Sequence, residues 1–158
     1  MSKFKILSFY AFTNVCDIRQ KLKFIKKECE DNNINGLVIL AKEGVNGTLS
    51  GVEKNLDRLI ELLTNKVFKC DMNVKDAFSK TTPFARIKVK IKKEIVTFGV
   101  DNISSFKESG RYVEPSEWND LISKDDIVTI DTRNDYEVRI GSFKGSINPK
   151  TRSFKEFP

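Results

Sequence analysis

The chain has 158 residues, 39% of them hydrophobic, and a formal net charge of +6. This length accommodates one domain of about 100 residues plus part of another, and the hydrophobic fraction is enough for a packed core. The chain has no histidine, which excludes Cys–His and Ser–His catalysis and argues against a zinc or iron site. The positive charge suits a polyanion such as RNA, although a composition rich in Lys, Asn and Ile would raise the charge by itself.

The N-terminus indicates where the protein resides. Residues 1–7 have neither the long apolar core nor the small-residue cleavage site of a signal peptide. No window approaches the roughly 18 apolar residues that a membrane span needs. We therefore expect a cytoplasmic protein without membrane partners.

The first hundred residues predict alternating strands and helices. The predicted elements are a strand at 4–12, a helix at 17–32, a strand at 37–41, a strand at 48–50, a helix at 53–64 and a strand at 67–74. The order β-α-β-β-α-β is that of a ferredoxin-like domain. The fold class predicted for residues 1–100 is therefore α+β.

A glycine-containing turn at residues 43–47 separates the second and third predicted strands. Its two glycines permit positive φ, so its amides could form an anion nest or approach a ligand closely. The alternative is a tight hairpin that needs glycine only for its geometry. Lys42, Glu43 and Asn46 are the candidate functional side chains there.

Residues 86–92 alternate strictly between basic and apolar side chains. Ile87, Val89 and Ile91 form one face of the predicted strand, and the other is basic. The candidate RNA-binding cations are Arg86, Lys88, Lys90 and Lys92, with Lys93 next along the chain and Arg111 further on. The alternatives are contact with RNA phosphates and a solvated edge strand whose lysines prevent aggregation. Residues 95–98 are the predicted hairpin partner.

Residues 101–122 are predicted to connect two domains, and residues 123–158 to begin a second one. Gly110 interrupts the connection, and Pro115 is expected to open a short helix that contains Trp118. A β-branched run at 127–130 predicts a buried strand of a parallel sheet.

The residues after this run predict a capped helix and an ion pair. Asn134 or Asp135 is expected to cap the helix, and Gly141 to end it in a left-handed conformation. Asp131 and Arg133 are interpreted as a structural ion pair, in preference to a direct catalytic role.

The three cysteines have no C-x-x-C spacing. Cys29 lies on the apolar stripe of the first helix and Cys70 in the predicted strand 67–74, so both are expected to pack in the interior. Cys16 precedes the first helix, and we favour packing over nucleophilic catalysis for it as well.

Three blocks of the chain resemble the bacterial tRNA uridine hydroxylase family. They are AKEGVNGTLSG at 41–51, PFARIKVKIKKEIVTFG at 83–99, and a block that runs from GRYVEPSEW at 110–118 to residue 158. The resemblance implies an N-terminal ferredoxin-like domain followed by an α/β rhodanese-like domain. It also implies oxygen-dependent 5-hydroxylation of the wobble uridine of tRNA, with molecular oxygen as co-substrate and no other cofactor or metal evident.

The resemblance places the reactive rhodanese cysteine after residue 158, so no catalytic residue is assigned within the chain. The predicted function is the tRNA-holding part of a hydroxylase, and the alternative is a non-catalytic RNA-binding remnant. A sulfurtransferase component is disfavoured because Ser142 and Phe143 stand where many rhodaneses carry Gly-His. A partner or a second copy is expected to complete residues 123–158.

Overall fold

The computed structural model describes residues 4–96 and 110–157. The chain divides into two compact units, Met1–Val96 and Thr97–Pro158. The elements of the first unit are β1 (Phe4–Phe12), α1 (Ile18–Asp31), β2 (Asn35–Ala41), β3 (Gly44–Gly51), α2 (Glu53–Leu62), a π-helical segment (Leu63–Phe68), β4 (Asn73–Ser79) and β5 (Ile87–Ile91).

The five strands form one sheet in the order β4-β1-β3-β2-β5. β1 pairs antiparallel with β3 and β4, and β2 pairs antiparallel with β3. These four strands and two helices confirm the predicted ferredoxin-like α+β domain. The additional strand β5 pairs in parallel with β2 at the sheet edge.

Both helices pack on the same face of the sheet, because alternate strand residues and the apolar helix stripes join one core. On β1 the buried residues are Leu7, Phe9 and Ala11, the period of two expected for a strand with one covered face. The helices contribute Ile25, Cys29, Leu56 and Leu59 at the spacing of a single helical stripe.

The strand predicted at residues 67–74 is wrong in its first half. Residues up to Phe68 continue the second helix as the π-helical segment, and Lys69 ends it with φ 54°. Leu63 and Phe68 are buried, so packing on the core outweighs the β-propensity of this stretch. Cys70 consequently lies before β4, half-buried against the core.

The turn predicted at 43–47 is shorter in the structure, because Gly44 already pairs with Phe12 and Ala41. This pairing has the geometry of the tight hairpin, and an anion nest at the turn stays a prediction. Gly44 has φ 156°, and a Cβ there would lie 2.1 Å from the carbonyl oxygen of Ala11. A Cβ at Gly47 would lie 2.7 Å from the ring of Phe9.

The described part of the second unit contains α3 (Pro115–Ile122), α4 (Asp135–Ile140) and a 3-10 turn (Phe154–Glu156). The predicted strand at 127–130 is reduced to one parallel bridge between Ile130 and Ile147. Asn134 precedes α4, where its backbone N–H donates to Glu137 at 3.1 Å. Gly141 ends α4 as predicted, but its φ of 168° is extended and not left-handed.

The boundaries at 1–100, 101–122 and 123–158 and the rhodanese-like assignment remain predictions. Residues 97–109, which include much of the predicted connection and part of the predicted 95–98 hairpin, lie outside the described residues. Across 4–96 and 110–157, no helix has the length and apolarity to cross a membrane.

Candidate nucleic-acid interface

The basic residues of β5 face away from the helices. Ile87 and Val89 pack against the core cluster, so Lys88 and Lys90, at the alternating positions, lie on the opposite face of the sheet. Both lysines are exposed. This side of the sheet is the face opposite α1 and α2.

Backbone hydrogen bonds hold both ends of β5 against β2. The amide of Gly36 donates to the carbonyl of Arg86 at 3.1 Å, and the amide of Lys92 donates to the carbonyl of Leu40 at 2.9 Å. The side chains of Arg86, Lys92 and Lys93 are exposed. The structure therefore places five predicted cations on or next to one short edge strand.

The register of β5 gives its two central lysines apolar neighbours. Lys88 lies opposite Leu37 and Lys90 lies opposite Ile39. Leu37 and Ile39 do not belong to the core cluster, and Leu37 is 37% exposed. The two lysines therefore lie beside a partly apolar surface of the sheet. Their side chains are on this face of the sheet as well as at its edge.

Glu43 and Asn46 both bind the segment that follows β5. Oε1 of Glu43 accepts a hydrogen bond from the amide of Ile95 at 2.8 Å, and Nδ2 of Asn46 donates to the carbonyl of Ile95 at 3.2 Å. Ile95 itself is 2% exposed. These two candidate RNA-binding side chains therefore hold the chain after β5, and their contact with RNA stays a prediction.

The remaining candidates are more dispersed. Lys42 is exposed in the β2–β3 turn, where its carbonyl accepts a hydrogen bond from the amide of Val15 at 2.9 Å. Arg111 belongs to the second unit, and its guanidinium lies 3.5 Å from the carboxylate of Glu117. Sequence reasoning missed Lys75, which is exposed on β4, because the stretch NVKDAFS shows no clear alternation.

A polar network surrounds Asp131 in the second unit. Nη2 and Nε of Arg133 donate to its carboxylate at 2.6 and 2.9 Å, and the hydroxyl of Ser142 donates at 2.6 Å. The hydrogen bonds from Arg133, and then from Ser142, hold the pKa of Asp131 well below its usual range. Arg133 also donates to the carbonyl of Gly141 at 2.6 Å, so the network joins both ends of the α4 segment.

The cysteines differ sharply in exposure. Cys29 is fully buried, as predicted, and burial raises the pKa of its thiol to about 12, with Glu28 and Glu30 adding to the effect. Cys16 is exposed, so the predicted packing role is wrong for it. Within the described ranges, no group of three or more Cys, Asp and Glu side chains has a metal-binding arrangement.

The strand order and the basic face define an α+β domain of ferredoxin-like topology with a cationic sheet surface. Residues 4–95 match the family described as UPF0176 acylphosphatase like domain, and the chain belongs to this family. Over 158 residues, the whole chain, it is 41% identical to the tRNA uridine(34) hydroxylase of Acaryochloris marina (strain MBIC 11017) and covers 51% of that protein. The chain thus spans about half the length of this curated relative, and the family resemblance seen in the sequence is confirmed.

Two solved structures match the chain at low sequence identity. The acylphosphatase from Bacillus subtilis is 19% identical with a TM-score of 0.40, over 58% of this chain and 99% of that one. The acylphosphatase from Coxiella burnetii is 14% identical with a TM-score of 0.42, over 58% and 94%.

Proposed function

We propose that this chain is the tRNA-holding part of an enzyme that hydroxylates uridine 34 of tRNA, with molecular oxygen as co-substrate. The 41% identity to a tRNA uridine(34) hydroxylase supports the substrate class. The structural observation that carries the proposal is a series of exposed lysines, Lys88 and Lys90 of β5 and Lys92 directly after it. We place this activity in the cytoplasm.

Lysines arranged in this way bind a nucleic-acid backbone without reading its sequence. Each ammonium group is a compact point charge on a flexible stem, and contact with a phosphate releases counterions, so binding weakens as salt rises. Such contacts fix the orientation of the RNA. The β5 lysines therefore position the tRNA, and other groups select the uridine.

We assign no catalytic group to residues 1–158. The family resemblance implies a rhodanese-like domain, which we propose begins within the second unit, and its reactive cysteine follows residue 158. Ile130 and Ile147, which form the parallel bridge, are 50% and 53% exposed. We propose that further rhodanese-like structure, or a partner or second copy, covers these side chains.

The proposal is tested by charge reversal on β5. Exchange of Lys88, Lys90 and Lys92 together for Glu lowers the net charge from +6 to 0. A matched control exchanges Lys23, Lys54 and Lys66, which are exposed on the helices, and reaches the same net charge. Affinity for unmodified tRNA is measured by fluorescence anisotropy at fixed ionic strength.

We expect the β5 variant to lose tRNA affinity by at least about tenfold, because three phosphate contacts are removed and three repulsive charges are added. The helix variant should lose much less. Equal losses of affinity in the two variants would show that tRNA binding depends only on the net charge of the protein, and the proposed interface would be wrong.

A second experiment separates tRNA holding from catalysis. Residues 1–158 are expressed in a bacterium that lacks its own wobble-uridine hydroxylases, and 5-hydroxyuridine in purified tRNA is quantified by mass spectrometry. We expect no modification from this chain and restored modification from a full-length homologue. Restored modification from residues 1–158 alone would contradict the assignment and would move the chemistry into this chain.

A further inference from the structure

The strand β4 forms one edge of the five-stranded sheet. It pairs with β1 on one side, and in the described part of the chain no strand pairs with its other side. All of its seven residues except the last are exposed. An edge strand of this kind presents unpaired backbone N–H and C=O groups, to which a further strand can bind.

The opposite edge of the sheet, β5, differs in its side chains. Lys88 and Lys90 lie on it, and Lys92 follows it directly, all of them exposed. Lysines on an edge strand oppose pairing with another chain. β4 contains a single lysine, Lys75, so its edge is less protected against pairing than the edge at β5.

Two apolar side chains of β4 lie on the side of the sheet that the helices cover. Val74 lies opposite the buried Phe9 of β1, and Phe78 lies opposite Lys5; directly opposed residues share one face of a sheet. Helix α2 packs on β1 and β3, and Val74 and Phe78 remain 42% and 52% exposed. A strand added at this edge would therefore cover apolar surface that the fold leaves exposed.

Asp76, which lies between these two residues on β4, belongs to a group with excess negative charge. Nζ of Lys5 lies 2.7 Å from Asp57, 3.8 Å from Glu53 and 3.9 Å from Asp76. One ammonium group therefore faces three carboxylates, and it donates its hydrogen bond to Asp57. The excess negative charge would stabilise a second cation beside Asp76.

Lys80 is a cation that a second copy of the chain can place beside Asp76. It directly follows β4 and is exposed. When two copies of a strand pair antiparallel about a two-fold axis, each contact occurs twice. In the register centred on Phe78, the two Phe78 side chains lie opposite each other, and Asp76 of each copy lies opposite Lys80 of the other.

The neighbouring registers of such a pair are poorly matched. A register centred on Asp76 would place two carboxylates opposite each other, and one centred on Lys75 would place two ammonium groups there. Like charges directly opposite one another destabilise a strand pair. A register centred on Ala77 would place Asp76 opposite Phe78. Of these registers, only the one centred on Phe78 matches opposite charges and apolar side chains together.

We propose that two copies of this chain associate through β4, antiparallel and centred on Phe78, to form one continuous sheet. The two Phe78 side chains pack together at the two-fold axis, and an Asp76–Lys80 ion pair lies on each side of them. The β5 strands lie at the two far ends of this sheet. The inference is therefore independent of the proposed function, which concerns the β5 edge.

Sedimentation velocity of the full chain tests the association. Residues 76–80 of each copy are opposed, so the interface is smaller than the roughly 1,200 Å² of stable complexes, and we expect a dissociation constant on the order of tens of micromolar. A series from about 5 to about 500 μM, chosen to bracket this value, should show conversion of monomer to dimer. A chain that stays monomeric throughout would overturn the inference and would leave this edge to a different partner.

Charge exchange tests the ion pairs. Lys80→Glu should weaken the dimer by at least about tenfold, because two attractive pairs become repulsive. Lys23→Glu makes the same change of charge on α1, which packs beside β5, and should leave the dimer intact. Adding Asp76→Lys to Lys80→Glu should restore association. A dimer that Lys80→Glu leaves unchanged, or a double variant that does not recover, would overturn the inference.

Cross-linking tests the register. In a Cys16→Ser background, Phe78→Cys should form a disulfide between two copies on mild oxidation, because opposed Cα atoms lie about 4.5–5.5 Å apart. The matched control is Asp76→Cys, since its two copies are offset by about 13 Å along the strands and should not bridge. Bridging of the control, or of neither variant, would overturn the register centred on Phe78.

Discussion

The two units of the chain are stabilised by different interactions. In the first unit, 15 buried residues from both helices and the strands form one apolar cluster. In residues 110–157 the buried residues are Asp131 and Thr151, and no apolar side chain of this range is buried. Apolar burial therefore organises the first unit, whereas hydrogen bonds organise the described part of the second.

This difference has a direct consequence for stability. Burial of apolar area contributes about 25 cal/mol per Å², while an exposed hydrogen bond exchanges with water and contributes little. In the second unit, Val128 and Ile140 are 68% and 85% exposed. We expect the first unit to fold cooperatively and the second to depend on its polar network and on whatever covers its apolar side chains.

The largest expected contrast comes from truncating one apolar side chain in each unit. Leu40 is fully buried and Ile130 is 50% exposed. Leu40→Ala should lower the free energy of unfolding by about 2–5 kcal/mol through lost contacts and a cavity, and Ile130→Ala by less than about 1 kcal/mol. Urea denaturation followed by circular dichroism measures both, and similar losses would contradict the contrast.

Alanine substitutions at one glycine in each unit compare the backbones of the two units. Gly44→Ala places a methyl group 2.1 Å from the carbonyl oxygen of Ala11 at a positive φ, so it should destabilise the first unit by well over about 1 kcal/mol. Gly110→Ala, which meets nothing within 4 Å, is the matched control and should be close to neutral. Thermal melts of both variants check this, and an unchanged melting temperature for Gly44→Ala would contradict the hairpin geometry.

The pKa of Asp131 predicts an acid-sensitive second unit. Because folding lowers this pKa, the stabilisation is complete above the unfolded value of about 3.9 and is lost as the pH falls through the folded value. Trp118, the one tryptophan of the chain, packs on Phe143 with ring centroids 5.0 Å apart and reports on this unit. Its fluorescence should change on acidification below about pH 4.

Asp131→Asn is the variant that tests this assignment. It should produce the same change in Trp118 fluorescence already at neutral pH, because the ion pair with Arg133 is lost. The control Asp126→Asn alters an exposed carboxylate and should leave the acid response in place. An Asp131→Asn variant with the normal neutral spectrum and acid transition would show that other groups govern this unit.

A smaller effect is expected where Glu43 binds the amide of Ile95. Glu43→Ala removes the acceptor and should cost about 1 kcal/mol, whereas Glu43→Gln keeps an oxygen acceptor and should cost less. Hydrogen exchange followed by mass spectrometry should show faster exchange around residue 95 in the Ala variant alone. Unchanged exchange there would mean that this hydrogen bond does not hold the segment.

Substitution of a cysteine is expected to have the smallest effect on stability and the clearest effect on chemical reactivity. Cys16 is exposed, while Cys29 is buried with its pKa raised to about 12. A thiol reagent at neutral pH should modify Cys16 rapidly and Cys29 only after unfolding. Cys16→Ser should remove the rapid phase with little loss of stability, and rapid modification of Cys29 would contradict the packed core.

The sequence predicts the elements that carry a clean period. β1, α1 and β5 lie within a residue or two of their expected bounds because apolar residues recur at periods of 2 or 3.6. The π-helical segment is missed because Val67 and Phe68 have β-propensity but pack on the core. The local sequence pattern also does not indicate which strands pair with one another, so the parallel pairing of β5 with β2 is found only in the structure.

The candidate site also has one part that the sequence predicts and another that only the structure shows. The alternation at residues 86–92 predicts the basic strip, since it needs only the local pleat. The contacts of Glu43 and Asn46 with Ile95 join residues about 50 positions apart, and no local pattern contains them. Lys75 and Lys88 are related through four strand registers, so their placement on opposite edges of one sheet is recognised only after folding.

The salt dependence of tRNA binding tests the central claim most directly. Each phosphate contact contributes about 0.7 to the slope of log affinity against log salt for a single strand. Replacing Lys88, Lys90 and Lys92 by Glu should therefore reduce the slope by about 2, while the matched helix variant should keep nearly the slope of the unaltered protein. A slope that is unchanged by the β5 exchange would show that these lysines do not contact the tRNA backbone, and the assigned interface would be wrong.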